Sequence, residues 1–182
     1  MLEFALTNLQ ALGCVPAVPG YLKAMREVCD KYGILLIFDE IMCGMGRTGY
    51  LHAWQASWQD EGVVPDIQLV GKALAAGFQP ISGMLVGHKV VEAFENGPSN
   101  GVFNHGHTFQ NYPLAAAAAL EVQLRIQDDK LLENVREKGA LLEKKLRQRL
   151  ESHRYVGNIR GPKEALFLGV SYPPCHLCNR SG

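Results

Sequence analysis

Two charged residues stand where apolar runs stop. The uninterrupted stretch Ile34, Leu35, Leu36, Ile37 and Phe38 reads as a strand buried on both faces, and it closes abruptly at Asp39 and Glu40. A carboxylate in that place is costly to desolvate unless a cation or several donors meet it. Taken alone, such an acid most often caps a helix or joins a structural ion pair. A second run, Ile67, Leu69 and Val70, ends at Gly71 and Lys72. An amine held in a low-dielectric cleft becomes nucleophilic enough to attack a carbonyl carbon, although a lone strand-end lysine usually extends its long stem to water. Neither residue decides the chemistry by itself; the pair in one strand-end crevice would.

The elements around them follow from punctuation and periodicity. Pro19 and Gly20 precede Tyr21 to Tyr32, where Leu22, Met25, Val28 and Cys29 recur at helical spacing until Gly33 stops the helix. Gly44 to Gly49 reads as a glycine-rich loop, followed by a short amphipathic piece around Trp54 and Trp58. Pro65 and Asp66 introduce the second strand, and Ser82 to Gly87 resembles a third. Glycines, asparagines and Pro98 mark a long loop from Glu95 to His107. Pro113 then sits near the start of an alanine-rich helix running towards Ile126, with the Ala115 to Ala119 run suited to close helix packing. Asp128 or Asp129 is placed to cap a further helix through about Leu150, whose apolar stripe is Leu131, Leu132, Val135, Leu141, Leu142 and Leu146. Tyr155 to Ile159 and Leu166 to Val170 read as short strands. The alternation predicts an α/β protein with a mostly parallel sheet, in which ligands gather beyond the carboxyl ends of the strands.

Composition narrows the function classes. The chain has 182 residues, 47% of them hydrophobic, which is enough apolar material for a real core. Lysine plus arginine equals aspartate plus glutamate at 18 each, so overall charge favours neither nucleic acid nor an anionic membrane. No apolar run approaches the ~20 residues that cross a bilayer, and Leu2, Glu3 and Phe4 do not begin a signal peptide. Cys14, Cys29, Cys43, Cys175 and Cys178 are odd in number and scattered, as reduced thiols are. We expect a soluble cytoplasmic chain, with a mitochondrial matrix location left open.

Taken in order, Gly33-Ile34-Leu35-Leu36-Ile37-Phe38-Asp39-Glu40-Ile41, Gly44-Met45-Gly46-Arg47-Thr48-Gly49, Pro65-Asp66-Ile67, Gly71-Lys72-Ala73-Leu74 and His105-Gly106-His107-Thr108-Phe109 resemble the class III aminotransferases. These are fold-type-I enzymes dependent on pyridoxal 5'-phosphate. The resemblance runs from near Ala11 to about Gly161, with a weaker trace at Leu166 to Val170. It implies part of the large cofactor-binding domain over 11–127, a linking helix and the start of a small C-terminal domain over 128–170, and unmatched ends at 1–10 and 171–182. Asp39 would pair with the pyridine nitrogen and keep it protonated, while Ile41 packs behind the ring. Lys72 would hold the cofactor as a Schiff base, then serve as the base that moves a proton at the substrate α-carbon. Thr108 would hydrogen-bond the phosphate of the neighbouring subunit's cofactor across a homodimer interface; without the family, a helix-start hydroxyl is an equal reading. The loop at Gly44 to Gly49 receives no catalytic role. The implied substrates are an amine or amino acid as donor and an oxo acid as acceptor.

Other constellations carry less. His105 and His107 stand two apart without a third ligand at sensible spacing, so metal binding is not expected. Cys175 and Cys178 have C-x-x-C spacing but no second pair, and the spacing reads as accidental. Family members are more than twice as long, and the earlier phosphate-cradling turn and ring-stacking aromatic are not among these residues. We therefore expect a truncated chain, inactive by itself as a transaminase. Two alternatives remain: a non-catalytic fragment or interaction chain, and an aminomutase or decarboxylase of the same cofactor family.

Overall fold

A computed structural model describes residues 2–4, 14–15, 17–56, 62–98, 101–161, 165–166 and 168–171. Leu2–Phe4 (β1), Leu36–Asp39 (β2), Ile67–Val70 (β3) and Gly83–Val86 (β4) make one sheet in that spatial order. β1 with β2 and β2 with β3 are parallel, while β3 with β4 is antiparallel. Helix α1, Tyr21–Tyr32, ends as its sequence predicts: Gly33 turns left-handed at φ 62°, and the Ile34 amide donates to Cys29 O at 2.8 Å. That bond occupies the Ile34 N–H and delays the strand, so β2 starts at Leu36 rather than at the head of the apolar run.

The later half is helical. α2 (His88–Glu95), α3 (Pro113–Asp128) and α4 (Leu131–Leu150) precede an antiparallel pair, β5 (Asn158–Arg160) with β6 (Gly169–Ser171). α2 has no counterpart in the sequence reading, because its eight residues are too few to display a full period. The expected aspartate cap of α4 is also absent. Asp128 closes α3, Asp129 follows it, and Lys130 at φ 50° stands before α4 with no side-chain cap bond. Ala115 and Ala119, one turn apart, are both buried as close packing requires. Trp58 and the Cys175 to Cys178 pair lie outside the described residues.

β2 is covered on both sides. Leu36 and Phe38 join Leu22 and Cys29 of α1 with Cys43, Ala53 and Val63 in one core cluster. Ile37, from the opposite face, packs with Ile67 and with Val90 of α2 in another. This double burial is why Leu36, Ile37 and Phe38 are apolar in succession rather than at alternate positions.

Asp66 fastens the amino ends of these strands. Its Oδ2 accepts the Leu36 amide at 2.8 Å and Arg26 Nη1 of α1 at 2.9 Å, while its own amide donates to Leu36 O at 2.9 Å. Burial raises the Asp66 carboxyl, but the Leu36 N–H and the Arg26 guanidinium outweigh it, so the group sits below the usual aspartate value. At the other edge the Gly44 to Gly49 loop docks on the helices. A Cβ on Gly46 would stand 3.1 Å from Leu132 Cδ2, and one on Gly49 would stand 2.5 Å from Arg136 Cγ. Arg136 of α4 donates to Gly49 O and lays its guanidinium 5.4 Å from the Tyr50 ring centroid.

Two stability outcomes follow from these contacts. Asp66→Asn removes a charged hydrogen-bond acceptor and should lower the unfolding free energy by about 1–3 kcal/mol at neutral pH. A depressed carboxylate contributes above its unfolded pKa and is lost as pH falls through its folded one. The difference from the parent should therefore shrink below roughly pH 4, as denaturant titrations at several pH values would report. Gly49→Ala forces a side chain onto a backbone at φ 83° and against Arg136, and should cost about 1–3 kcal/mol by the same titration at neutral pH.

Candidate functional site

Parallel pairing brings Asp39 and Lys72 to one edge of the sheet. Asp39 lies opposite Leu69 in register, and the Glu40 amide extends the ladder by donating to Leu69 O at 3.0 Å. Both chains therefore leave β2 and β3 side by side, in the position where open α/β sheets bind ligands. Asp39 is half-buried, and its Oδ1 accepts the Ile41 amide at 3.0 Å. No described residue donates to its Oδ2.

Ile41 and Gly71 meet between the two strand ends. A Cβ on Gly71 would come within 3.3 Å of Ile41 Cγ2 and 3.7 Å of Ser82 Cβ, so the absence of a side chain at 71 is what seats the isoleucine. Lys72 opens the short 3-10 turn Lys72–Leu74, closed by the Leu74 amide on Gly71 O at 2.9 Å. Its φ is 42°, a left-handed value that lysine seldom adopts and that is held only where surroundings enforce it. Gln123 of α3 supplies part of that enforcement by donating to Leu74 O at 2.9 Å. The Lys72 side chain is exposed.

Glu40 goes the other way. Successive residues of a strand face opposite sides, so the two adjacent acids part, and Glu40 enters the Phe38 side with no exposed surface. There its Oε2 accepts the Ala53 amide at 2.8 Å and Gln68 Nε2 at 2.7 Å, while Oε1 accepts the Trp54 amide at 2.8 Å. Gln68 Nε2 also lies 2.9 Å from His52 Nδ1, and Trp54 Nε1 donates to Gln68 Oε1 at 3.3 Å. Burial pushes the Glu40 carboxyl up to about 7 against the opposing pull of these three donors, and burial likewise raises the nearby Cys43 thiol and lowers His52. Residue types did not single Glu40 out; strand alternation is the signal that separates it from Asp39.

The remaining sequence candidates fall elsewhere. Thr108 is exposed at the start of the turn 108–111, on a segment tied to α2 through the Gly101 amide on Phe94 O at 2.9 Å and an edge contact between Phe103 and Phe94. It does not start a helix, since α3 begins at Pro113 after Tyr112. The structure thus gathers Asp39, Ile41 and Lys72 at one place and leaves Thr108 on a separate exposed segment. His105 and His107 are exposed, and among the described residues no three His, Cys, Asp or Glu side chains gather as metal ligands. No helix of the described residues is long and apolar enough to cross a membrane. Arg47 is exposed and Thr48 buried, its Oγ1 without a hydrogen-bond partner among the described residues.

Comparison with known proteins bears on this arrangement. The family described as aminotransferase class-III matches residues 9–174. An aminotransferase from Gibberella zeae is 56% identical over 150 residues, covering 82% of this chain and 28% of the relative. A solved aminotransferase from Bacillus anthracis superposes with a TM-score of 0.79 at 34% identity, covering 88% of this chain and 34% of that one. Taurine:2-oxoglutarate aminotransferase from Bifidobacterium kashiwanohense, solved with PLP and glutamate, superposes at 0.78 with 31% identity, covering 88% and 34%. The chain spans about a third of the length of the curated relatives it matches. Its fold is accordingly part of the large α/β domain of a fold-type-I transferase, and the chain belongs to the class III aminotransferase family.

Proposed function

We propose that this chain supplies the lysine and aspartate of a pyridoxal 5'-phosphate site in a transaminase, which moves an amino group from an amine or amino acid to an oxo acid. The observation that carries the reading is the convergence of Asp39, Ile41 and Lys72 at the carboxyl ends of two paired parallel strands. Their chemistry fits the cofactor. A carboxylate with one oxygen uncommitted among the described residues suits a protonated ring nitrogen, an apolar side chain suits a ring face, and an exposed primary amine suits an aldehyde.

When bound, the cofactor supplies an electron sink for the carbanion left at a substrate α-carbon. The protein residues do the rest. Asp39 would hold the ring nitrogen, its carboxylate favouring the protonated form by opposite charge. Lys72 Nζ would hold the cofactor through its aldehyde carbon and, as a free amine, would move the proton at the substrate α-carbon. The strained Lys72 backbone and its Gln123 support hold the amine's point of departure fixed beside Ile41.

Thr108 and the substrate groups belong to a larger assembly in this reading. Phe78, Phe109, Leu114 and Leu120 are each more than three-fifths exposed, an apolar surface suited to burial against a second subunit or further chain. Thr108, exposed and directly before Phe109 in the chain, would reach a phosphate held by the neighbouring subunit. The homodimer, the amine donor and the oxo-acid acceptor are parts of the same proposal.

Spectroscopy tests the two principal residues. Incubated with pyridoxal 5'-phosphate, the chain should develop an imine absorption band that Lys72→Ala abolishes; a band of equal strength in that variant would remove Lys72 as the attachment point. Asp39→Asn should keep the band but weaken cofactor binding by about 10–100-fold, the loss of one charge-assisted hydrogen bond, in a titration followed at the imine wavelength. An unchanged dissociation constant would separate Asp39 from the ring.

A further inference from the structure

We propose that Glu40 and Gln68 are a positioning pair, whose buried hydrogen bond fixes the two strand ends together and so sets the aim of Lys72 Nζ relative to Asp39. This rests on the cofactor reading above and extends it to residues that would not touch the cofactor.

The pair lies across the β2–β3 ladder. Gln68 stands opposite Phe38, and Glu40, two residues past Phe38 on the same face, reaches back to it at 2.7 Å. Glu40 directly follows Asp39, and Gln68 precedes Lys72 by four residues, so one hydrogen bond links the two chain segments that bear the chemistry. Both side chains are buried. Every polar atom of the two side chains is engaged: the carboxylate accepts from two backbone amides and one side-chain amide, while the Gln68 amide engages Glu40, His52 and Trp54.

Such a network is an unusual way to fill a core. Three donors converge on Glu40, so only an acceptor with two oxygens satisfies them, and an apolar or amide side chain at 40 would leave a backbone N–H without a partner or facing another donor. A buried polar cluster of this kind discriminates between registers more sharply than apolar packing does. Register matters here, because a slip of one residue would send Asp39 to the buried side and Glu40 to the open one. Among the described residues, the partners acting on Glu40 are the hydrogen-bond donors of Ala53, Trp54 and Gln68, with no charged group among them. Hydrogen-bond geometry alone holds it.

The test uses the 182-residue chain and pyridoxal 5'-phosphate itself. Gln68→Met keeps the volume of the side chain and removes its link to Glu40. In the folded fraction, confirmed by circular dichroism, the dissociation constant for imine formation should rise on the order of tenfold and the pH midpoint of the imine band should move. Trp54→Phe, which removes only the indole N–H donated to Gln68, should shift both quantities in the same direction by less, and carries the test if Gln68→Met does not fold. A lowered melting temperature with both quantities unchanged would reduce the pair to structural packing and overturn the proposal. Absence of any Lys72-dependent band in the parent chain would overturn the cofactor reading, and this inference with it.

Discussion

Parallel pairing of Leu36–Asp39 with Ile67–Val70 is the constraint on which the rest depends. Two strands running the same way must release their chains at the same edge, and no antiparallel arrangement would place the residues after both runs side by side. The pairing is fixed at its start by Asp66, which holds the Leu36 amide and Arg26 together, and near its end by Glu40 and Gln68. Polar clamps thus stand at both ends of a strand whose interior is entirely apolar. Burial supplies most of the drive to form this sheet, while the clamps determine which residues end up level with which.

Around that pair the chain builds support by close approach. Glycine at 71 admits Ile41, glycine at 46 admits Leu132, and glycine at 49 admits Arg136, so the loop that follows Asp39 is pressed onto α4 rather than left open. Gln123 of α3 reaches the turn that follows Lys72. The glycine-rich segment is therefore a packed joint between the sheet edge and the helices. α3 itself shows Leu114, Leu120 and Leu124 to solvent on the side away from Ala115 and Ala119. An α-helix with apolar residues on both sides expects cover on both.

Much of this was legible in the order of residues, because the features concerned are local. An unbroken apolar run, a glycine at a helix end and a proline at a helix start each act within a few residues, and α1, β2, β3 and α3 appear close to where those signals put them. The placement of Asp39 and Lys72 at strand ends was legible for the same reason. What escaped depends on distance. Asp66 reads as a turn residue until Arg26 and the Leu36 amide, 40 and 30 positions away, are seen to meet it. Glu40 reads as a second acid beside the first until its donors arrive from Ala53, Trp54 and Gln68. α2 was missed because one amphipathic face eight residues long resembles any mixed segment, and its place is set by Val90 packing on Ile37 and Ile67.

Family membership follows from similarity across most of the chain, whereas the proposed chemistry rests on one amine and one acid that would address the same ring. Borohydride reduction of the chain with pyridoxal 5'-phosphate, followed by peptide mass mapping, addresses that claim most directly. A single phosphopyridoxyl group on the peptide containing Lys72 is the expected result. Label spread over surface lysines, with Lys72 unmodified, would contradict it.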